Sequence, residues 1–265
     1  MLCSLLGGCL QINVPQSMIT NTNGSMVVLP PGVPTARFTP GPDWRIVNDD
    51  IATPDGPLHM VLAGSDADRP LIVYCGGQAF IENNAGAAAL KALAPFGDMV
   101  LFDYPGLGQS HGHGTKAEYL AALDTVTTRI EALAAQRRGK LVFWGHSLGT
   151  GFCAALAAKV QHPSLLVMAG GFDTVEDAAD GLKQQTYWYS PLIDIRFDED
   201  VLNFHIAQRL AHYNGPILLL ATKADRTITY DVSQKLAQKL RDAGRTVTFV
   251  SFENISHSRI HQAVD

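Results

Sequence analysis

Two hydrophobic periodicities alternate along this chain. Short, nearly unbroken apolar runs occur at 71–75 ("LIVYC"), 98–102 ("DMVLF"), 140–144 ("KLVFW"), 164–168 ("SLLVM"), 216–221 ("PILLLA") and 246–252 ("TVTFVSF"). Runs of this length with so few polar residues fit strands covered on both faces, as in a parallel sheet. Two earlier strands are predicted near 44–48 and 58–63, with "TPDGP" turning the chain between them. Between the runs the period changes to that of a helix. Over 115–136, Tyr119, Leu123, Val126, Ile130 and Leu133 recur every three or four residues and make one apolar face. Thr115 and Glu118 stand three apart at its start, the spacing of a capping box. Val232, Leu236 and Leu240 repeat the pattern in a last long helix, which Gly244 stops. Asp231 is placed to cap that helix.

Regular alternation begins only at Trp44. Residues 1–43 form an irregular leading segment, rich in Asn, Ser, Thr, Gly and Pro from residue 10 onward. They read as a linker or surface strap holding at most one short strand. Residues 44–265 read as an α/β domain: a mostly parallel central sheet of about eight strands, joined by right-handed helical crossovers on both faces. Between the strand at 164–168 and the one at 216–221 lies a longer stretch, 172–213, predicted to form a short lid of one or two helices. Its Tyr187, Trp188, Tyr189, Leu192 and Ile193 either line a pocket or pack the lid onto the body.

In a sheet of this type, chemistry gathers at the carboxyl ends of the strands. Directly after the strand 140–144 the sequence reads Gly145-His146-Ser147-Leu148-Gly149, and a small-residue helix follows. A serine between glycines at a strand-to-helix turn is the context of a nucleophile elbow. Side chains at 145 and 149 would collide with the neighbouring strand and helix. The helix N-terminus beneath Ser147 favours negative charge developing there. A serine hydroxyl needs a base to accept its proton, and the base needs a third group to hold its tautomer. Asp225, in "TKADRTI", follows one strand, and His257, in "ENISHSRI", follows the next. The order Ser, Asp, His with each residue at a strand end selects Ser147 as nucleophile, Asp225 as orienter and His257 as base. Glu253 is the alternative acid, and His205, His212 and His261 are the weaker histidines. An oxyanion hole requires two backbone donors, here the N–H of Leu148 and that of Gln78 in "CGGQAF".

Composition adds exclusions. Apolar residues make up 46% of the 265 positions and charged residues 17%, which suits a sizeable core. A net charge of −5 with no basic run argues against nucleic acid as a partner. No phosphate-cradling glycine loop with a lysine and no clustered metal ligands occur, so neither cofactor nor metal is expected. The four cysteines, Cys3, Cys9, Cys75 and Cys153, show no metal spacing, and Cys75 and Cys153 read as buried free thiols. Leu6-Gly7-Gly8-Cys9 resembles a bacterial lipobox, with Gln11 to Gly24 as a flexible tether, yet no Lys or Arg precedes Arg37. Two localisations therefore stay open: cytoplasmic, or membrane-anchored through a lipidated Cys9 from an upstream start. The sequence does not set the oligomeric state.

The motifs "CGGQA", "DYPGLGQS" at 103–110, "GHSLG", and "TKAD" with "ISHS" together resemble the α/β-hydrolase superfamily over residues 44–265. The resemblance is strongest to small bacterial serine hydrolases with a GG-[NQ]-A oxyanion loop. It implies the α/β-hydrolase fold and a serine hydrolase acting on a small acyl ester or thioester, with Ser147, His257 and Asp225 in the roles given above. It also implies that Asp103 belongs to a structural loop. Many members carry His-Gly where this chain has Gly76-Gly77, which bears on the identity of the loop donor. A lipase, a peptidase or a catalytically silent binding protein of the same fold are the alternatives.

Overall fold

The computed structural model describes residues 10–14, 16, 43–65, 68–78, 80, 82–186, 193–199 and 201–262. Its strands are β1 (Leu10–Val14), β2 (Arg45–Asn48), β3 (Ile51–Thr53), β4 (Gly56–Leu58), β5 (Met60–Gly64), β6 (Leu71–Cys75), β7 (Asp98–Phe102), β8 (Leu141–His146), β9 (Ser164–Ala169), β10 (Ile193–Phe197), β11 (Ile217–Thr222) and β12 (Val247–Phe252). The α-helices are α1 (Glu82–Leu93), α2 (Lys116–Ala135), α3 (Gly149–Lys159), α4 (Val175–Thr186), α5 (Ile206–Arg209) and α6 (Tyr230–Asp242), and a 3₁₀ helix covers His257–Gln262.

Eight strands form the central sheet in the order β12-β11-β9-β8-β6-β7-β5-β2. Pairing is parallel from β12 to β7 and antiparallel at the β7–β5 and β5–β2 edge. The most apolar runs take the middle: every residue of β6 and β7 is buried. The chain passes from β6 to β7 on one side, then crosses back to β8 on the other. The crevice beyond the carboxyl ends of β6 and β8 is therefore the switch point of the sheet, where ligands of open α/β sheets bind.

The predicted helix faces are buried as the period requires. Tyr119, Leu123, Val126, Ile130 and Leu133 of α2 are in the core, as are Val232, Leu236 and Leu240 of α6. Thr115 caps α2, and Glu118 returns to the Thr115 N–H to complete the capping box. For α6 the N-cap is Thr229, so Asp231 lies inside the first turn instead of at the cap. Gly244 follows α6 at φ +77°, in the left-handed region where a glycine ends a helix freely.

Beside Asp231, three expectations need correction. "TPDGP" does not join the two early sheet strands directly. It turns a separate small hairpin, β3–β4. The leading segment is more than a tether, since β1 pairs in parallel with β10, Leu10 opposite Ile193 through Val14 opposite Phe197. The lid stretch thus contributes a strand besides α4 and α5, and it holds the leading segment through it. Buried Gln16 reinforces the link, its Oε1 accepting the Leu202 N–H at 2.6 Å. Third, Cys75 and Cys153 are not free thiols. They form a disulfide between the end of β6 and α3, with Cα atoms 5.9 Å apart. Tyr187, Trp188, Tyr189 and Leu192, together with the first nine residues, lie outside the described residues.

Candidate functional site

The turn after β8 explains its own composition. Ser147 has φ +53°, one of two non-glycine residues with positive φ among those described. Strain of this kind costs about 1–3 kcal/mol and persists where the surroundings enforce it. Here they do. A Cβ on Gly145 would lie 2.6 Å from the Gly149 carbonyl oxygen and from the Thr150 Cα, and one on Gly149 would lie 2.0 Å from the Cys75 carbonyl oxygen. The two glycines thus let α3 start against the ends of β6 and β8. The Ser147 N–H is held by the Ala169 carbonyl at 2.9 Å, and its own carbonyl accepts the Thr150 N–H and hydroxyl at 2.9 and 2.7 Å. Main-chain bonds therefore fix the serine on both sides.

Asp225 follows β11 and His257 follows β12, at the same edge of the sheet. His257 Nδ1 donates to Asp225 Oδ2 at 2.6 Å. The other carboxylate oxygen, Oδ1, accepts the N–H groups of Thr227 and Ile228 at 2.8 and 2.9 Å. Asp225 is 1% exposed at its side chain and His257 16%. With its proton on Nδ1, the neutral imidazole presents Nε2 as the acceptor. Glu253, the rival acid, is exposed and paired with Lys223 at 2.7 Å. Asp103 is fully buried in its own loop, its Oδ2 accepting the Gln109 N–H at 2.8 Å and its carbonyl the Ser110 hydroxyl at 2.7 Å.

Ser147 and His257 line one cavity of about 440 Å³, together with Gly77 and Gln78 of the loop after β6. Tyr74, Phe80, Ala85 and Ala88 give this cavity an apolar side, and His146, Thr227 and Ser258 a polar one. Leu148 is the first residue of the turn into α3 and is buried. All five residues selected from the sequence are thus at or beside the switch-point crevice. Among the described residues, no three His, Cys, Asp or Glu side chains are grouped to hold a metal ion.

Several contributors escape a sequence reading. The Tyr104 hydroxyl donates to the Gly76 carbonyl at 2.7 Å and so fixes the peptide leading into Gly77. Burial among other tyrosines pushes the Tyr104 phenol well above its ordinary pKa, so it stays a donor. Gly170, at φ +67°, lies beneath the imidazole: a Cβ there would stand 3.1 Å from His257 Cε1. His146 Nε2 donates to the His257 carbonyl at 2.9 Å. Only His146 carried a signal, its place inside the glycine-flanked pentapeptide.

A family model described as the alpha/beta hydrolase fold matches residues 89–245, more than half of the chain. The chain belongs to the α/β-hydrolase fold family. Relatives within it include the lysophosphatidylserine lipase ABHD12 of Danio rerio, 27% identical over 207 residues that cover 71% of this chain and 53% of the relative. The protein of that name from Macaca fascicularis is 28% identical over 210 residues, covering 73% and 51%. The chain spans about half the length of these curated relatives. Among solved structures, the Pyrococcus furiosus esterase Pf2001 has a TM-score of 0.61 at 15% identity, covering 83% of this α/β-hydrolase and 86% of the esterase. The acylaminoacyl peptidase of Pyrococcus horikoshii has a TM-score of 0.60 at 14% identity, covering 83% and 39%. At such identities the solved structures speak to the fold alone.

Proposed function

We propose that this α/β-hydrolase cleaves a carboxylic ester or thioester through an acyl-enzyme on Ser147. The observation that carries the reading is the 2.6 Å bond from His257 Nδ1 to the buried Asp225 carboxylate, with Ser147 and His257 lining one cavity. His257 Nε2 accepts the Ser147 hydroxyl proton as Oγ attacks the substrate carbonyl. The backbone N–H groups of Gln78 and Leu148 stabilise the resulting oxyanion. Collapse expels the alcohol or thiol, which takes the proton from the imidazolium. Water, deprotonated by the same imidazole, then releases the acid. Asp225 stays ionised throughout and stabilises the imidazolium.

The cavity's apolar side suits an acyl chain of small to medium length, and its polar side a hydrated leaving group. The relatives named as lysophosphatidylserine lipases make a lysophospholipid the natural test substrate beside a graded series of p-nitrophenyl esters. A fluorophosphonate probe should label the wild type, and Ser147→Ala should abolish both labelling and turnover by several orders of magnitude while leaving the fold intact. Asp225→Asn should lower kcat by about 10⁴-fold through loss of the productive tautomer. Glu253→Gln should have little effect. Undiminished labelling of the Ser147→Ala protein, or full activity in Asp225→Asn, would overturn the assignment.

A further inference from the structure

His146 is the last residue of β8 and the immediate neighbour of the nucleophile, yet the proposed mechanism gives it no task. Its position relative to the other parts of the site is specific. Nε2 lies 2.9 Å from the main-chain carbonyl oxygen of His257. A carbonyl only accepts, so the ring carries its hydrogen on Nε2. The His146 and His257 rings lie side by side, with centroids 5.0 Å apart and planes inclined by 38°. On its other edge, Nδ1 faces the oxyanion loop, where a Cβ on Gly77 would stand 3.3 Å away. One imidazole thus lies beside the His257 ring and next to the Gly77 loop, on the residue that precedes Ser147.

His257 stands between two apolar anchors, Ile255 packed against the core and Ile260 fully buried in it, but the residues nearest to it are in water. Glu253, Asn254, Ser256 and Ser258, around His257, are all exposed, and the chain there is a bend running into a 3₁₀ turn. Asp225 grips only the His257 side chain, fixing the ring's orientation through Nδ1. It does not fix where the backbone carrying that ring sits. Beside the anchoring of Ile255 and Ile260, the His146 bond reaches the main chain of His257 itself and ties it to β8, the strand that also leads into Ser147.

We propose that His146 is a positioning residue that sets the distance between the catalytic base and the nucleophile by anchoring the His257 main chain to the end of β8. The inference rests on the serine-hydrolase reading of the same site. Its chemistry requires a donor at the Nε2 position, not an imidazole as such. Glutamine places its amide nitrogen the same number of bonds from the backbone as His Nε2. Asparagine reproduces the Nδ1 position instead, and leucine carries no donor.

Three variants separate these roles: His146→Gln, His146→Asn and His146→Leu, assayed with a p-nitrophenyl ester and by the rate of fluorophosphonate labelling. A misplacement on the ångström scale costs about 10²-fold in rate. His146→Asn and His146→Leu should therefore lose about 10²-fold in kcat and in labelling rate, with KM nearly unchanged. His146→Gln should recover most of both. Melting temperatures are measured alongside, and the Gln and Asn pair, alike in polarity, keeps the test decisive if the leucine variant fails to fold. Wild-type rates in His146→Asn, or equal losses in Gln and Asn, would overturn the proposal. An unlabelled wild type would instead overturn the hydrolase reading on which it rests.

Discussion

At the scale of single residues, the site depends on groups that orient peptide planes as much as on the reacting atoms. Tyr104 is fully buried, stacked on Phe152 at 4.3 Å between centroids, and its hydroxyl holds the Gly76 carbonyl at 2.7 Å. Tyr104→Phe keeps the ring packing and removes that one donor. We expect kcat to fall by about tenfold with KM and melting temperature little changed, because a tilted oxyanion loop loses part of the 10²–10³-fold contribution of its donor. Steady-state kinetics with a single ester tests this; unaltered kcat would show that the loop holds its shape without the hydroxyl. Gly170→Ala acts on the base. Its left-handed φ of +67° costs an alanine about 1 kcal/mol, and the new methyl would press on the imidazole from 3.1 Å. Lower melting temperature together with lower kcat is expected, whereas a change in stability alone would mean the ring tolerates the methyl. The placement of Ser147, Asp225 and His257 just after β8, β11 and β12 was legible in the sequence because each apolar run that precedes them reads as a strand. Tyr104 and Gly170 were not. Their effect depends on a contact across 28 residues in one case, and across 87 in the other, which no local pattern records.

At the scale of elements, legibility followed burial. The apolar runs of β6, β7, β8, β9 and β11 announce themselves because a parallel strand covered on both faces has no polar side to interrupt it, whereas β12, at the sheet edge, has no fully buried residue and alternates with Thr248 and Ser251 exposed. The strand β1, "LQINV", precedes a polar stretch of sequence and, among the described residues, pairs with β10. Neither strand has the density of apolar residues that marks the central sheet, so neither stands out. The helix α2 was readable to its cap, and that cap has a pH dependence. Burial raises the Glu118 carboxyl's pKa, but the Thr115 and His113 backbone N–H groups, the Thr115 hydroxyl and nearby His113 outweigh it and hold the carboxyl below its ordinary value. A folded-state value below the unfolded one stabilises the fold above the ordinary glutamate range, and the contribution is lost as pH falls through the folded-state value. Glu118→Gln should therefore cost about 1 kcal/mol at neutral pH. Its melting temperature should converge on that of the wild type in acid. Calorimetry at a series of pH values tests the sign: a gap that widens in acid would contradict it.

At the scale of the whole molecule, the disulfide changes how the fold is held. Cys75 and Cys153 are 78 residues apart, and nothing in their separate surroundings points to pairing. The reading as free thiols failed because it weighed each cysteine alone. What brings them together is the elbow itself: Gly149 packs α3 against the Cys75 carbonyl so closely that the next turn of the helix delivers Cys153 to the end of β6. The bridge therefore joins β6, which leads into the Gly76-Gly77 loop, to α3, which follows Ser147. Both partners are fully buried. Closing a loop of this length is worth about 4 kcal/mol through the unfolded chain. Such a bridge forms in an oxidising compartment and fails to form where thiols are kept reduced. Titration of the denatured protein with Ellman's reagent should find two more thiols after reduction than before, those of Cys75 and Cys153. The double variant Cys75→Ala, Cys153→Ala should melt on the order of 10 °C lower, the shift a loss of that size produces in a protein of this length. Protein produced under oxidising conditions should match the wild-type melting curve, and protein produced under reducing conditions should match the double variant. If reduction releases no thiols from Cys75 and Cys153 in the protein from the oxidising preparation, the two sulfurs only touch, and the free-thiol reading would stand after all.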